Sequence, residues 1–283
     1  MSEEKYDLVI LGGGTAGYVS AIRASQLGKK VALVEQSLLG GTCLHKGCIP
    51  TKALLKSAEV MRTISNATDY GVDVDNFRVN FSQMQSRKND IVNQMFNGVT
   101  HLMEHNKIDV FNGVGRILGP SIFSPQSGTV SVEFENGESE LIPNNNVLIA
   151  TGSQPMDLPF LPFDHKIVLS SDDILKLEAL PKSLAIIGGG VIGLEFASLM
   201  TDLGVDITVI EAGERILPTE SKSIANTLKK ELTQRGVSFY ENTQLTESQI
   251  TIEATSIDIK LNEEVTHFEK ALVAIGRKPN TED

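Results

Sequence analysis

One short pattern occurs twice in this chain of 283 residues, and it limits the possible folds more than any other feature of the sequence. Each copy is an apolar run that ends in Gly-x-Gly-x-x-Gly, at residues 12–17 and again at residues 188–193. In each copy a second apolar run ends in an acid, Glu35 and then Glu211. The first glycines and the two acids are both 176 positions apart, so the two copies share one internal spacing.

The chemistry of dinucleotides explains this spacing. The first glycine allows a tight turn, the second lets backbone N–H groups approach a pyrophosphate, and the third lets a helix pack closely on a strand. The helix N-terminus then faces the anion, and the acid accepts hydrogen bonds from a ribose diol. A single copy also occurs as a glycine-rich turn in other α/β domains. Two copies in register predict two Rossmann-like domains that pass electrons between a flavin and a nicotinamide.

Length and composition agree with two soluble domains, since one compact domain usually takes about 100–150 residues. Acidic residues outnumber basic ones by 36 to 25, which argues against a protein that binds nucleic acid. The sequence has no apolar run of about 18 residues, and its charged N-terminus lacks the apolar stretch of a signal peptide. We therefore expect a cytoplasmic protein without a membrane span.

Hydrophobic periodicity predicts the main elements between these motifs. Helices are expected at residues 16–27, 50–64, 81–104, 191–203 and 221–235. A hairpin is expected from residues 129–134 and 140–142, buried strands at 147–150 and 271–275, and a linker at 155–162. These patterns divide the chain into a flavin-binding domain (1–150), a nicotinamide-binding domain (151–276) and a short return segment (277–283).

Both cysteines, Cys43 and Cys48, lie in one short segment directly after the first dinucleotide motif. Residues five apart on a regular helix point about 140° from one another, and a disulfide needs Cα atoms within about 7 Å. If the two cysteines are bonded, Cys43 should lie in a turn and Cys48 near a helix start, where a thiolate is favoured. Two reduced structural cysteines are the alternative. The spacing excludes a zinc site, and we expect no metal.

The segment Gly41-Thr42-Cys43-x4-Cys48-Ile49-Pro50-x-Lys52 resembles the redox-disulfide signature of the pyridine nucleotide–disulfide oxidoreductases. Within that family the chain is most similar to the dihydrolipoamide dehydrogenases, the E3 subunits of 2-oxo acid dehydrogenase complexes. The resemblance runs along the whole chain and includes residues 150–152 and 276–280. It implies an α/β, three-layer fold with one FAD-binding and one NAD-binding domain.

The resemblance also implies a role for individual residues. Four are expected to be catalytic, namely Cys43, Cys48, Lys52 and Glu195. The residues expected to bind FAD are Gly12, Gly14, Gly17, Glu35, Gly41, Thr42, Lys52, Gly115, Thr151, Gly152 and Ser153. The residues expected to bind NAD are Gly188, Gly190, Val191, Ile192, Gly193, Glu195, Glu211, Leu245 and Gly276.

In this family the first cysteine exchanges thiols with the dithiol substrate, which assigns that role to Cys43. The resemblance places Cys48 as a thiolate against the isoalloxazine, and Lys52 near the flavin N5 with Glu195 as its partner. Glu211 favours NAD because a carboxylate repels the 2′-phosphate of NADP, although Arg215, four residues later, weakens that argument.

Members of the family continue beyond the point that corresponds to Asp283, with a dimer-interface domain that supplies a catalytic His–Glu pair. The resemblance therefore implies a C-terminally truncated E3 that lacks this domain and has little lipoamide turnover alone. The expected partners are the lipoyl domain and the subunit-binding domain of an E2 acyltransferase, with a homodimer in the full-length enzyme. Two alternatives stay open, namely a reductase of the glutathione or mercuric type and a non-catalytic nucleotide-binding fragment.

Overall fold

Short parallel strands and the helices between them dominate the computed structural model, which describes residues 5–119 and 128–281. The α-helices are α1 (Thr15–Gln26), α2 (Gly41–Lys46), α3 (Cys48–Ser65), α4 (Phe81–His105), α5 (Ser171–Ile174), α6 (Val191–Asp202) and α7 (Lys222–Gln234), with 3-10 turns at Ala67–Tyr70 and Glu247–Gln249. The strands are β1 (Tyr6–Leu11), β2 (Val31–Glu35), β3 (Asp109–Asn112), β4 (Val114–Ile117), β5 (Val130–Glu133), β6 (Ser139–Ile142), β7 (Asn144–Ile149), β8 (Ser153–Pro155), β9 (Val168–Leu169), β10 (Ser183–Ile187), β11 (Asp206–Ile210), β12 (Ser238–Tyr240), β13 (Ile250–Ile252), β14 (Ile257–Leu261), β15 (Glu264–Phe268), β16 (Lys270–Val273) and β17 (Arg277–Pro279).

The five predicted helices are present, each with ends within two residues of the expected ones. The predicted hairpin is present as the antiparallel pair of β5 and β6. The helix α2 was not predicted, so the expected turn at Cys43 is wrong. This six-residue helix starts after Gly40, which has a left-handed backbone, and Leu44 anchors it in the core. Tertiary packing therefore stabilises a helix that is too short to form by propensity alone.

The first compact unit contains residues 1–49, 90–154 and 279–283. Its parallel sheet has the order β3-β2-β1-β7, and both faces are covered. Ile10 and Leu33 point to the side of α1 and α4, and their neighbours Val9 and Ala32 point to the antiparallel sheet β4-β5-β6. Burial on both faces explains why β2 reads as a continuous apolar run.

The second unit, residues 50–89 and 155–278, repeats this three-layer arrangement. Its parallel sheet has the order β12-β11-β10-β16-β9. Ile186 and Val209 lie on the side of α6, whereas Ala185 and Ile187 pack against the antiparallel sheet β13-β14-β15. The predicted α/β fold with two Rossmann-like units is confirmed. No helix in the described ranges is long and apolar enough to cross a membrane.

Residues 50–89 belong to a different unit from the one expected from the sequence. The division drawn from the sequence assigned the segment to the first domain, but Leu54 and Ala58 of α3 are buried in the core cluster formed around α6. Residues 1–4 and residues 282–283 of the expected return segment lie outside the described ranges.

A buried carboxylate ties α3 to its unit. Asp202, at the end of α6, accepts hydrogen bonds from Arg62 of α3 at 2.8 Å and from Arg235 at 3.0 Å. The side chain of Asp202 is 6% exposed, so water screens these ion pairs poorly. Arg235 also donates to the carbonyl oxygen of Ser198. The network therefore joins three segments of the second unit.

Asp202→Ala is expected to lower the free energy of unfolding by about 3 kcal/mol, because it leaves two guanidinium groups without their shared acceptor. Glu263→Ala is the control, since its pair with Lys260 is exposed and worth less than about 1 kcal/mol. Urea unfolding followed by circular dichroism measures both variants. Equal losses in the two variants would contradict the role given to Asp202.

Candidate functional site

The first glycine turn is built on backbone contacts that leave no room for a side chain. Gly12 has a φ of +103°, and a Cβ atom there would lie 2.2 Å from the carbonyl oxygen of Ala150. A Cβ atom on Gly17 would lie 1.8 Å from the carbonyl oxygen of Gly12. These contacts seat α1 directly on the end of β1, so the spacing of the two glycines follows from sterics.

The second turn repeats the same contacts. Gly188 has a φ of +111°, with a virtual Cβ 2.4 Å from the carbonyl oxygen of Ala274. A Cβ atom on Gly193 would lie 2.2 Å from the carbonyl oxygen of Gly188. Gly190 differs, because no atom lies within 4 Å of its virtual Cβ. The open space at Gly190 is therefore not needed for packing within the unit.

The two acids hold their turns in the same way. One carboxylate oxygen of Glu35 accepts the N–H of Gly13 at 2.6 Å, and the other accepts the N–H of Ser37 at 2.8 Å. Glu211 accepts the N–H of Gly189 at 2.6 Å and the N–H of Gly213 at 2.7 Å. Each acid thus fixes the middle of its glycine turn, and charge-assisted bonds of this kind are the stronger ones.

Both helices that follow the turns begin without a side-chain cap. Gly14 precedes α1 and Gly190 precedes α6, and neither residue has a side chain that can accept the first N–H groups. Unpaired N–H groups and the helix dipole together favour an anion. The two helix starts therefore suit the pyrophosphate of a dinucleotide.

A cleft of about 640 Å³ opens beside the first turn, and all of its lining belongs to the first unit. Four residues expected to bind FAD line it, namely Gly12, Glu35, Gly115 and Thr151. Glycine at 115 keeps β4 against β2 and β1, because a Cβ there would lie 2.6 Å from the Leu11 side chain. The volume is within the usual range for cofactor sites. The glycine turn, the acid and the cleft together have the features that the ADP half of FAD requires.

Several lining residues were not identified from the sequence, namely Gln36, Arg116, Asn280 and Thr281. Asn280 donates to the carbonyl oxygen of Thr151 at 2.8 Å, and the Thr151 hydroxyl donates back to the carbonyl oxygen of Asn280 at 2.9 Å. Asn280 belongs to the return segment expected at residues 277–283, and it lies in the first unit. The sequence did not predict that it lines the cleft or that it bonds to Thr151.

The two cysteines form a disulfide with Cα atoms 4.7 Å apart. Cys43 lies within α2, and Cys48 is the first residue of the 18-residue helix α3. Gly41, the first residue of α2, approaches the first glycine turn so closely that its virtual Cβ would lie 2.5 Å from the Gly14 Cα. Cys43 therefore follows by two residues the glycine that contacts the first turn, which is the turn expected to face the pyrophosphate.

Lys52 and Glu195 form an ion pair in the second unit. The Lys52 side chain is 61% exposed, so the pair contributes less than about 1 kcal/mol to stability. Glu195 lies in the first turns of α6, after the second glycine turn. The ion pair therefore orients the Lys52 side chain but adds little to the stability of the fold.

The guanidinium of Arg215 points into its own loop. It donates to the carbonyl oxygens of Leu217 at 2.6 Å, Glu220 at 2.8 Å and Pro218 at 2.9 Å. An arginine with this many carbonyl partners is unavailable to a phosphate group unless those bonds break. The structure thus removes the argument that Arg215 weakens a preference for NAD.

The remaining predicted NAD residues differ in position. Leu245 is 7% exposed and packs in the core against the antiparallel sheet of the second unit. Val191 is 55% exposed at the start of α6, whereas Ile192 packs against the helix-side core. The carbonyl oxygen of Gly276 accepts the N–H of Met156 at 3.1 Å.

Comparison with known proteins agrees with this geometry. Residues 6–283 match the family model described as Pyridine nucleotide-disulphide oxidoreductase. A dihydrolipoyl dehydrogenase of Bacillus subtilis (strain 168) is 53% identical over 284 residues, covering 98% of this chain and 60% of that protein. A dihydrolipoyl dehydrogenase of Chlamydia pneumoniae is 41% identical, with 98% of this chain and 58% of that protein covered.

Among solved structures, LpdA from Mycobacterium tuberculosis has a TM-score of 0.87 at 26% identity, over 97% of this chain and 59% of that one. The HOCl-induced flavoprotein disulfide reductase RclA from Escherichia coli has a TM-score of 0.79 at 30% identity, over 98% of this chain and 58% of that one. The chain thus spans about three fifths of the length of these relatives.

The two glycines of the second turn give a matched test. Gly193→Ala is expected to lower the free energy of unfolding by about 3 kcal/mol, because the methyl group collides with a backbone carbonyl. Gly190→Ala has open space and an extended backbone, so the expected loss is about 1 kcal/mol or less. Urea unfolding decides between them, and a greater loss in Gly190→Ala would refute the steric account.

Proposed function

Since the chain belongs to the pyridine nucleotide-disulphide oxidoreductase family, we propose that it forms the FAD- and NAD-binding part of a dihydrolipoamide dehydrogenase. The observation that supports this most directly is the disulfide of Cys43 and Cys48, whose helix α2 starts against the first glycine turn. A redox-active disulfide next to a dinucleotide cradle is the arrangement needed to pass electrons from a dithiol to a flavin. The similarity to named dihydrolipoyl dehydrogenases supports the choice of substrate.

FAD is proposed to lie along the cleft of the first unit, with Gly14 and Gly41 near its pyrophosphate and Glu35 near its ribose. Thr42, Gly115 and residues 151–153 complete this proposed site. The bound flavin supplies two-electron redox chemistry, and the nicotinamide carries hydride away. The protein's part is to hold these groups and to bring the substrate's sulfur atoms to the disulfide.

Thiol–disulfide exchange at Cys43 begins the proposed reaction. A thiolate of the dithiol substrate attacks the Cys43 sulfur, forming a mixed disulfide and releasing Cys48 as a thiolate. The second substrate thiol then attacks its own partner sulfur in that mixed disulfide, closing the oxidised substrate and freeing Cys43. The substrate has then lost two electrons and two protons, and the protein holds two reduced cysteines.

The start of α3 suits Cys48 to the role of leaving group. Its thiolate lies at the positive end of an 18-residue helix, which lowers the cost of the negative charge. Lys52 follows one turn later in the same helix, and Glu195 orients its ammonium group. We assign the pair to positioning a positive charge, a role that an exposed ion pair performs without adding much stability.

NAD is proposed to bind the second glycine turn, residues 188–193. Glu211 already accepts two backbone N–H groups, so its carboxylate is held in one orientation. A fixed carboxylate accepts hydrogen bonds from the ribose hydroxyls of NAD and repels the extra phosphate of NADP.

Glu211→Ala is expected to weaken NADH binding about tenfold and to reduce the discrimination against NADPH, because it removes the acceptor and the repulsion. Arg215→Ala is the matched control. It should lower thermal stability and leave the ratio of NADH to NADPH affinity unchanged, since its guanidinium is bonded to its own loop. Fluorescence titration with both nucleotides measures these affinities. A selective loss of NADPH binding in Arg215→Ala would contradict this assignment.

The proposed partners follow from the proposed substrate. A dihydrolipoamide dehydrogenase acts as the E3 component of a 2-oxo acid dehydrogenase complex. The dithiol substrate would therefore be carried by the lipoyl domain of an E2 acyltransferase. The subunit-binding domain of E2 is the proposed docking partner, and a homodimer is proposed for the full-length enzyme.

The visible absorption spectrum tests the proposed function on the FAD-loaded chain. Adding dihydrolipoamide should produce a long-wavelength shoulder, as Cys48 is freed next to the flavin, together with two titratable thiols per chain. Cys43→Ser should show the shoulder without substrate, because Cys48 is then already free. Cys48→Ser should never show it.

The competing functions give different results in the same assay. Reduction of glutathione disulfide at the expense of NADPH, with no reduction of the Cys43–Cys48 disulfide by dihydrolipoamide, would indicate a reductase of the glutathione type. Reduction of Hg(II) at the expense of NADPH would indicate the mercuric type. A chain that binds FAD but whose disulfide resists every dithiol would be a non-catalytic binding module. Any of these results would refute the proposed function.

A further inference from the structure

Three of the five histidines have a defined partner in the structure. His45 shares a hydrogen bond of 2.8 Å with the carbonyl oxygen of Leu39. His165 pairs with Asp173 at 3.0 Å, and His267 pairs with Asp258 at 2.7 Å. The other two, His101 and His105, have ring nitrogens that bond to no residue in the described ranges, and these two rings lie next to each other.

His101 and His105 lie one turn apart at the end of α4, and both are exposed. Their ring centroids are 6.3 Å apart and their planes are inclined by 32°. Side chains at i and i+4 share one helix face, with Cβ atoms about 5–6 Å apart, so two imidazoles there can turn their nitrogens towards one point. Asn106 fixes the helix end, because its side chain donates to the carbonyl oxygen of Leu102 at 2.8 Å.

We propose that His101 and His105 form a two-imidazole chelating site for a divalent transition-metal ion, such as Ni²⁺, Cu²⁺ or Zn²⁺. Imidazole is a preferred ligand of these three ions, and neutral rings without protein partners are free to coordinate. Water completes the coordination of a metal held by two side chains on an open surface. The site is independent of the redox function, since neither histidine lines the cleft of the first unit.

Electrostatics also favours a cation at this place. The site lies in the last turn of a helix of 25 residues, where the helix dipole is negative. The chain carries a formal charge of −11, so the general field also attracts cations. The nearest charged residues in sequence are Glu104 and Lys107, which have opposite signs.

The geometry limits the site to two protein ligands. His101, Glu104 and His105 have the spacing H-x-x-E-H of one class of zinc peptidase. However, the described ranges contain no group of three or more side chains that could hold a metal together, so Glu104 is not a third ligand. The expected site is therefore open and exchangeable, unlike the closed sites that hold structural zinc.

Isothermal titration of the untagged, disulfide-oxidised chain with NiCl₂ tests the proposal. A pH of about 7.5 keeps an ordinary imidazole mostly neutral. We expect one Ni²⁺ per chain, and a loss of at least about tenfold in affinity in His101→Ala and equally in His105→Ala, because both rings must bind. Alanine is the best helix former, so neither exposed substitution should unfold α4. His267→Ala is the matched control, an exposed histidine paired with an acid, and should bind as the wild type does.

Two further results decide the matter. Ni²⁺ should raise the melting temperature of the wild type and of His267→Ala, and not that of either helix variant, because a ligand that binds the folded state stabilises it. Unchanged binding in His101→Ala or in His105→Ala would overturn the proposal. Loss of binding in His267→Ala alone would also overturn it and would place the metal on the antiparallel sheet of the second unit.

Discussion

The rest of the structure depends on the tight packing of a helix start against the end of the strand before it. In both copies a Cβ atom on the third glycine of the turn would collide with the carbonyl oxygen of the first glycine. This contact seats α1 on β1 and α6 on β10. It also brings the N–H group of each middle glycine within reach of the acid at the end of the neighbouring strand. Contacts within the protein therefore hold the glycines and the acid in one arrangement, which does not depend on a bound ligand.

The sheets keep these units rigid because both of their faces are buried. In β1, Val9 packs on the antiparallel sheet and Ile10 on the helices, and β10 repeats the pattern with Ala185 and Ile186. A parallel sheet enclosed on both faces offers solvent only its strand ends. The turns and acids lie at the carboxyl ends, which is where open α/β sheets bind ligands.

Much of this could be predicted from the sequence, because glycine spacing and apolar periodicity are local signals. The five long helices, the hairpin and the two acids belong to that group. The helix α2 could not be predicted, since burial of Leu44 stabilises it and six residues carry too little helical preference. The direction of the Arg215 side chain also depends on a folded loop. The packing of residues 50–89 depends on long-range contacts such as Asp202 with Arg62, which no local pattern reveals.

The two copies differ most in the segment that follows the acid, and this difference separates their proposed roles. After Glu35 the chain turns back through Gly41 to the glycine turn and continues into the disulfide. After Glu211 it forms a loop that Arg215 braces through its own carbonyl oxygens, with no reactive side chain among those bonds. The shared glycine turn and acid thus suit the same chemical fragment, a nucleoside diphosphate, in both units. Both cysteines of the sequence follow the first acid, and their disulfide lies in the first unit. For this reason we assign the dithiol chemistry to that unit.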